Sequence, residues 1–329
     1  MSGIDRPTST GTATTPVRQA GTCSVGSMAR LVYLGTPDAA VPPLRTLVAA
    51  GHEIVLVVSR PDKRRGRGGA LVPSPVKAAA LELGLAVTDD LAEATTVGAE
   101  LGVVVAYGRI VPVAVLEQLP MVNLHFSLLP RWRGAAPVER ALLEGDGETG
   151  VCLMAVEAGL DTGPVYAEVA TEIDPEETAE ELRARLVEIG CRILEEHLAN
   201  GRAGLPVPRD QAGNPTYAEK IHSGELELDW NEPAARLRRV IRLGRAWTTF
   251  RGKRVRVLAA GPADAGGVDV DTNDEGGPLG LGELRGAIVG AGGGSRLTLV
   301  SVQPEGKRPM DASAWLNGVR PGADDRLGT

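Results

Sequence analysis

Along the first 200 residues, short and almost purely apolar runs alternate with stretches of helical period. Residues 30–35, 53–59, 101–106 and 121–125 are too short for helices and apolar on both faces, so they read as buried strands. Residues 41–50 and 76–83 read as helices between them. Strands that alternate with helices predict an α/β fold, a Rossmann-like, doubly wound and mostly parallel sheet with helices on both faces. A longer amphipathic helix is expected to open at Asp174-Pro175-Glu176-Glu177-Thr178, where first-turn carboxylates favour the dipole, and to run to about residue 200.

Residues 201–213, with Pro206 and Pro208, have the composition of a linker. Beyond them the pattern changes to a short basic helix at 234–242, then short strands at 248–250, 254–258 and 296–302 between Gly- and Asp-rich loops. That pattern predicts a second, smaller β-barrel domain of OB-like type. The expected organisation is an extension over 1–27, a catalytic domain over 28–200, a linker over 201–213, a β-barrel over 214–320 and a tail over 321–329. Residues 1–27 are rich in Ser, Thr and Gly without the apolar segment of a signal peptide, and are expected to be disordered. Residues 260–282 are expected to form a mobile loop.

Composition narrows the function classes. A chain of 329 residues exceeds what one core usually organises, and its 43% hydrophobic and 23% charged residues are those of a globular protein. Aromatic residues are only 3%, which argues against stacking platforms for single-stranded nucleic acid. Cys23, Cys152 and Cys191 are too few and too scattered for a disulfide framework or a metal cluster, which fits a cytoplasmic protein without a metal. No apolar run is long enough to cross a bilayer, and a monomer is expected.

The net charge of −7 argues against a polyanionic partner until its distribution is considered. Residues 236–256 hold nine Arg or Lys and no acid, and residues 60–77 hold six basic residues and one acid. Residues 139–196 hold sixteen acids against four basic residues. Local field, rather than the sum over the chain, decides where a polyanion docks. Basic runs are also common on solvated surfaces, so both readings stand at this point.

The strongest chemical signal is Asn123-Leu124-His125, followed by Asp161 in Gly159-Leu160-Asp161-Thr162-Gly163. Residues i and i+2 of a strand share a face, so the Asn123 amide and the His125 imidazole can converge on one reacting atom. A carboxylate from a later loop can orient that imidazole. An amide, an imidazole and a carboxylate suit acyl transfer to an external nucleophile. Taken alone, a strand histidine is more often a satisfied structural residue than a catalyst, and Asp161 reads first as a turn residue, since Asp-Thr-Gly is good turn chemistry. Gly35-Thr36-Pro37, at the first strand-to-helix turn, lacks the glycine spacing that cradles a dinucleotide.

The stretch from Asn123 to Tyr166 closely resembles the folate-dependent formyltransferase family, and Ser127-Leu128-Leu129-Pro130 with Trp132-Arg133-Gly134-Ala135-Ala136-Pro137 resembles the branch that acts on methionyl-tRNA. The likeness extends from about Met28 to Gly318, including Thr216-Tyr217-Ala218-Glu219-Lys220-Ile221, Leu228-Asp229-Trp230 and the run from Lys307 to Gly318. It implies 10-formyltetrahydrofolate as formyl donor and the α-amino group of initiator methionyl-tRNA as acceptor. It implies Asn123 and His125 as donors to the oxyanion, with Asp161 orienting His125 and relaying a proton. Ser127, Leu128, Leu129 and Pro130, with Tyr107 and Gly108, match the family's folate pocket. Residues 60–75 match its mobile loop, with Arg67 the basic residue that enters the centre and Lys63, Arg64 and Arg65 on phosphates. Arg242, Arg245, Arg251, Lys253 and Arg254 are expected to dock tRNA. Phe126 departs from the family, which usually has a small residue there, and the departure bears on the shape of the folate pocket.

Two alternatives stay open: a folate-dependent formyltransferase acting on an aminosugar nucleotide, and a non-catalytic RNA-binding protein of the same fold. The basic second domain and the Gly66-Arg67-Gly68 loop favour tRNA over the sugar.

Overall fold

The computed structural model describes residues 28–65, 69–262 and 277–329. The expected extension over 1–27, Arg67 and residues 263–276 of the expected mobile loop lie outside them. In chain order the first unit comprises β1 (Arg30–Gly35), α1 (Val41–Ala49), β2 (Glu53–Val58), β3 (Lys63–Arg65), β4 (Ala70–Val72), α2 (Pro75–Glu82), β5 (Val87–Thr88), β6 (Leu101–Val105), α3 (Val113–Leu116), β7 (Met121–His125), β8 (Arg133–Gly134), α4 (Pro137–Glu144), β9 (Glu148–Ala155), β10 (Val165–Glu172) and α5 (Ala179–Leu198). Its sheet runs β10-β9-β7-β6-β1-β2-β5. The five strands from β7 to β5 are parallel, whereas β9 and β10 extend the edge antiparallel.

β1 and β6 are buried almost throughout because they lie inside the sheet with elements on both faces. Leu31, Tyr33, Val103 and Val105 join the large core under α1 and α5, while Val32, Leu34 and Val104 join a second core on the other face. Helix starts follow local chemistry. Ser74 caps α2 by accepting from the Lys77 amide at 3.0 Å, and Thr178 with Glu181 forms a capping box on α5.

Past α5 the chain continues through β11 (Tyr217–Ala218) to α6 (Ala234–Ile241), β12 (Trp247–Phe250), β13 (Lys253–Pro262), β14 (Leu284–Arg285), β15 (Ile288–Gly290), β16 (Arg296–Pro304), β17 (Met310–Asp311) and α7 (Ala312–Val319). Their sheet is antiparallel in the order β12-β13-β16-β15-β14, with β17 on β16. The large core runs without a break from Leu31 and Leu186 through Leu237 and Val240 of α6 to Val257, Leu297 and Trp315. The two units therefore share an apolar junction, which their separate sequence patterns did not reveal.

Candidate active site

Alternation along β7 sends Val122 and Leu124 into the large core and leaves Asn123 and His125 on the opposite face. Asn123 is half-buried and His125 is 5% exposed. Their antiparallel neighbours on β9 are Met154 and Cys152. Burial pushes the Cys152 thiol up to about 12, so beside the imidazole it stays a thiol and supplies no nucleophile.

The segment after β7 turns back so that the Trp132 carbonyl meets His125 Nε2 at 2.8 Å. A carbonyl only accepts, so Nε2 carries a proton and Nδ1 is the atom left for acid–base chemistry. Nδ1 lies 3.6 Å from Asp161 Oδ2, an ionic approach rather than a hydrogen bond. Trp132 has a left-handed backbone, φ 64°, and needs support. Asp146 supplies it, accepting from Trp132 Nε1 at 2.7 Å and from Arg131 through two bonds of 2.8 and 2.5 Å, while the Arg131 guanidinium lies 4.4 Å above the indole.

Asp161 also sits in the left-handed region, φ 50°. Its Oδ2 accepts from the Gly134 amide at 2.8 Å, and its Oδ1 lies 3.5 Å from the Asn123 amide nitrogen. The carboxylate thus stands between the other two side chains, anchored firmly to backbone and only loosely to Asn123. That leaves the Asn123 N–H groups available to a developing oxyanion.

The residues expected to hold the folate are placed less uniformly. The Ser127 hydroxyl donates to the Arg131 carbonyl at 2.6 Å and so closes its own loop. Leu129 is buried with Cys152, Met154 and Val165, and Leu128 packs over Gly150, where a Cβ would lie 2.5 Å from it. Pro130 is half-buried, and its carbonyl accepts from the Thr216 amide at 3.2 Å. Tyr107 is 2% exposed within the second core, so only its backbone can line a cleft, and Gly108 takes φ 75° beside Arg60. Phe126 packs into the large core near Gly190 of α5, away from the Asn123 face. Exposed apolar side chains do occur nearby in the chain: Ile110 after β6 and Leu160 beside Asp161. Sequence inspection passed over them because exposure cannot be read from hydropathy.

Of the basic residues, Lys63, Arg64 and Arg65 form β3, paired with β4 in a hairpin where an unstructured loop was expected. Lys63 lines a cavity of about 150 Å³ with Thr36, Asp38, Arg60 and Ser74. Arg242 has another occupation than docking. Its guanidinium donates to the Glu177 and Asp174 carbonyls, both at 2.7 Å, and ties α6 to the start of α5. Arg236 and Arg239 similarly donate to the Leu143 and Glu144 carbonyls at the end of α4, where the helix dipole favours cations. Arg251 is held by Asp325 at 2.9 and 2.5 Å. Arg245, Lys253 and Arg254 remain exposed, with Arg254 stacked 3.8 Å from the Trp247 ring centre.

Three contributors escaped sequence reasoning: the Trp132 carbonyl, the Gly134 amide and Gln211. Two act through backbone atoms, which no motif of side chains records. Gln211 stands in the supposed linker.

Known proteins resemble this arrangement at two depths. The sequence profile of the family described as formyl transferase matches residues 29–198, and that of its C-terminal domain matches residues 220–320. Methionyl-tRNA formyltransferase of Roseobacter denitrificans is 44% identical over 303 residues, covering 88% of this chain and 95% of that protein. The protein of the same name from Jannaschia sp. is 42% identical over 306 residues, covering 88% and 97%. Among solved structures, the Helicobacter canadensis N-formyltransferase shares the fold at TM-score 0.63 and 17% identity, covering 84% of this chain and 100% of that one. Methionyl-tRNA formyltransferase from Clostridium thermocellum does so at TM-score 0.55 and 16% identity, covering 73% and 96%. With both halves matched and relatives above 40% identity along most of its length, the chain belongs to the formyl transferase family, in its methionyl-tRNA formyltransferase branch.

Proposed function

We propose that this protein transfers a formyl group from 10-formyltetrahydrofolate to the α-amino group of methionine on initiator methionyl-tRNA. The observation that carries the reading is the meeting of Asn123, His125 and Asp161 on one face at the carboxyl end of β7, beside an inert thiol. The names of the relatives point to the same acceptor, and a solved HypX from Aquifex aeolicus, similar in fold, carries tetrahydrofolic acid. Leu160, exposed next to Asp161 in the chain, offers an apolar side chain that suits an aromatic donor.

Attack of the amine on the formyl carbon places negative charge on the formyl oxygen. Asn123 donates an amide N–H to that oxygen, and His125, when protonated at Nδ1, adds a charged donor. One such preorganised donor is worth about 3–4 kcal/mol of barrier. The attacking ammonium must lose a proton, and the departing folate nitrogen must gain one. Asp161, set between the two side chains, accepts the first and returns it. Lys63, Arg64 and Arg65 in the first unit, with Arg245, Lys253 and Arg254 in the second, give the tRNA backbone its cations.

Labelled formyl donor offered with charged initiator tRNA, charged elongator tRNA and aminosugar nucleotides tests the reading. Label on initiator methionyl-tRNA is expected. Label on the aminosugar alone would replace it with the sugar-directed activity, and label on nothing would leave an RNA-binding protein.

A further inference from the structure

We propose that Gln211, in the segment joining the two units, is a positioning residue for Asp161; the inference rests on the role of Asp161 in formyl transfer given above. Asp161 holds a left-handed backbone that is unfavourable for a residue with a Cβ, so its loop needs an external hold. Gln211 provides one. Its amide nitrogen donates to the Asp161 carbonyl at 2.9 Å and to the Gly163 carbonyl at 2.8 Å. Its amide oxygen accepts from Arg133 Nε at 3.1 Å and from the other Arg133 nitrogen at 2.6 Å.

Arg133 directly precedes Gly134, whose amide holds the Asp161 carboxylate. A closed ring of hydrogen bonds results, running from Gln211 through the Asp161 backbone, its carboxylate, Gly134 and Arg133 back to Gln211. Only a primary amide satisfies it, since two carbonyls require N–H donors and a guanidinium requires an oxygen. The neighbouring backbone keeps Gln211 in place. Arg209 exchanges two hydrogen bonds of 2.8 Å with Val165, and Thr216 accepts from the Arg133 amide at 2.9 Å and, through its hydroxyl, from the Trp132 amide at 2.9 Å. Residues 209–216 therefore strap the Asp161 loop to the segment that orients His125.

Gln211→Met keeps the shape and removes all four bonds, and Gln211→Asn serves as a second variant because its shorter arm cannot span both partners. Steady-state kinetics over a range of pH, with melting temperatures, tests the inference beside Asp161→Asn. Both Gln211 variants should lose kcat by roughly 10- to 100-fold, as expected for misplacement of a reacting group by about 1 Å. Their KM values for both substrates should stay within about twofold, and the pH profile of kcat should shift as the carboxylate leaves its place beside His125. Wild-type kcat, or a lost kcat with an unmoved pH profile and a lowered melting temperature, would overturn the positioning role. Wild-type turnover in Asp161→Asn would instead remove the catalytic reading on which it stands, so the two failures are distinguishable.

Discussion

At the scale of single residues, the chemistry depends on which atom of each side chain is already committed. His125 commits Nε2 to the Trp132 carbonyl and keeps Nδ1 for the reaction. Replacing Asn123 with Ala should lower kcat by roughly 10²–10³-fold, the effect of removing one oxyanion donor, with little change in melting temperature. Single-turnover rates check the first part and calorimetry the second. Gly134 is a sharper test. It adopts φ 123°, and a Cβ there would lie 2.9 Å from the Ala218 carbonyl oxygen. Gly134→Ala should therefore cost about 1–3 kcal/mol of stability and displace the Asp161 anchor, so that denaturant melts and kcat fall together. Asn123, His125 and Asp161 were legible as candidates through the family resemblance of their stretch, since on type and spacing alone a strand histidine and a turn aspartate read as structural. Their supports were not, because a carbonyl and an amide look alike at every position of a chain.

At the scale of elements, apolar runs marked β1, β2, β6 and β7, since burial on both faces leaves continuous hydrophobic strings. By contrast, α5 opens only at Ala179 after its Thr178 cap, so that Asp174, Glu176 and Glu177 precede the helix and Glu180 and Glu181 fill its first turn. The β3–β4 hairpin was hidden by its charge. The contacts of residues 209–213 were hidden by Pro206 and Pro208, which gave that stretch the composition of a linker although Arg209 pairs with Val165 and Gln211 holds the Asp161 loop. One buried histidine ties an element to pH. His52 is 7% exposed, accepts from the Ala29 amide at the start of β1, and is held below its usual 6.5 chiefly by burial. A depressed pKa favours the neutral form in the folded state. The stabilisation is thus complete above about 6.5 and is lost progressively as pH falls below it. Melting temperatures of the wild type should drop more steeply below that pH than those of His52→Gln, and parallel curves would contradict this.

At the scale of the molecule, the basic stripe of residues 236–256 divides into two sets by environment. Arg236, Arg239 and Arg242 fasten α6 to carbonyls at the ends of α4 and α5, and Arg245, Lys253 and Arg254 face solvent. Charge counting could not separate them, because the division depends on which side chains lie against the junction and which lie on the turn and strand beyond it. Arg242→Ala should accordingly lower stability more than tRNA affinity. Lys253→Ala should raise KM for tRNA and reduce its logarithmic salt dependence by about one unit without altering KM for the folate. The most direct measurement is the single-turnover rate of formyl transfer to initiator methionyl-tRNA by folded Asp161→Asn and His125→Ala. A fall of at least about 100-fold in each is the predicted result. Rates near wild type in either would contradict the placement of formyl transfer at this carboxylate and imidazole.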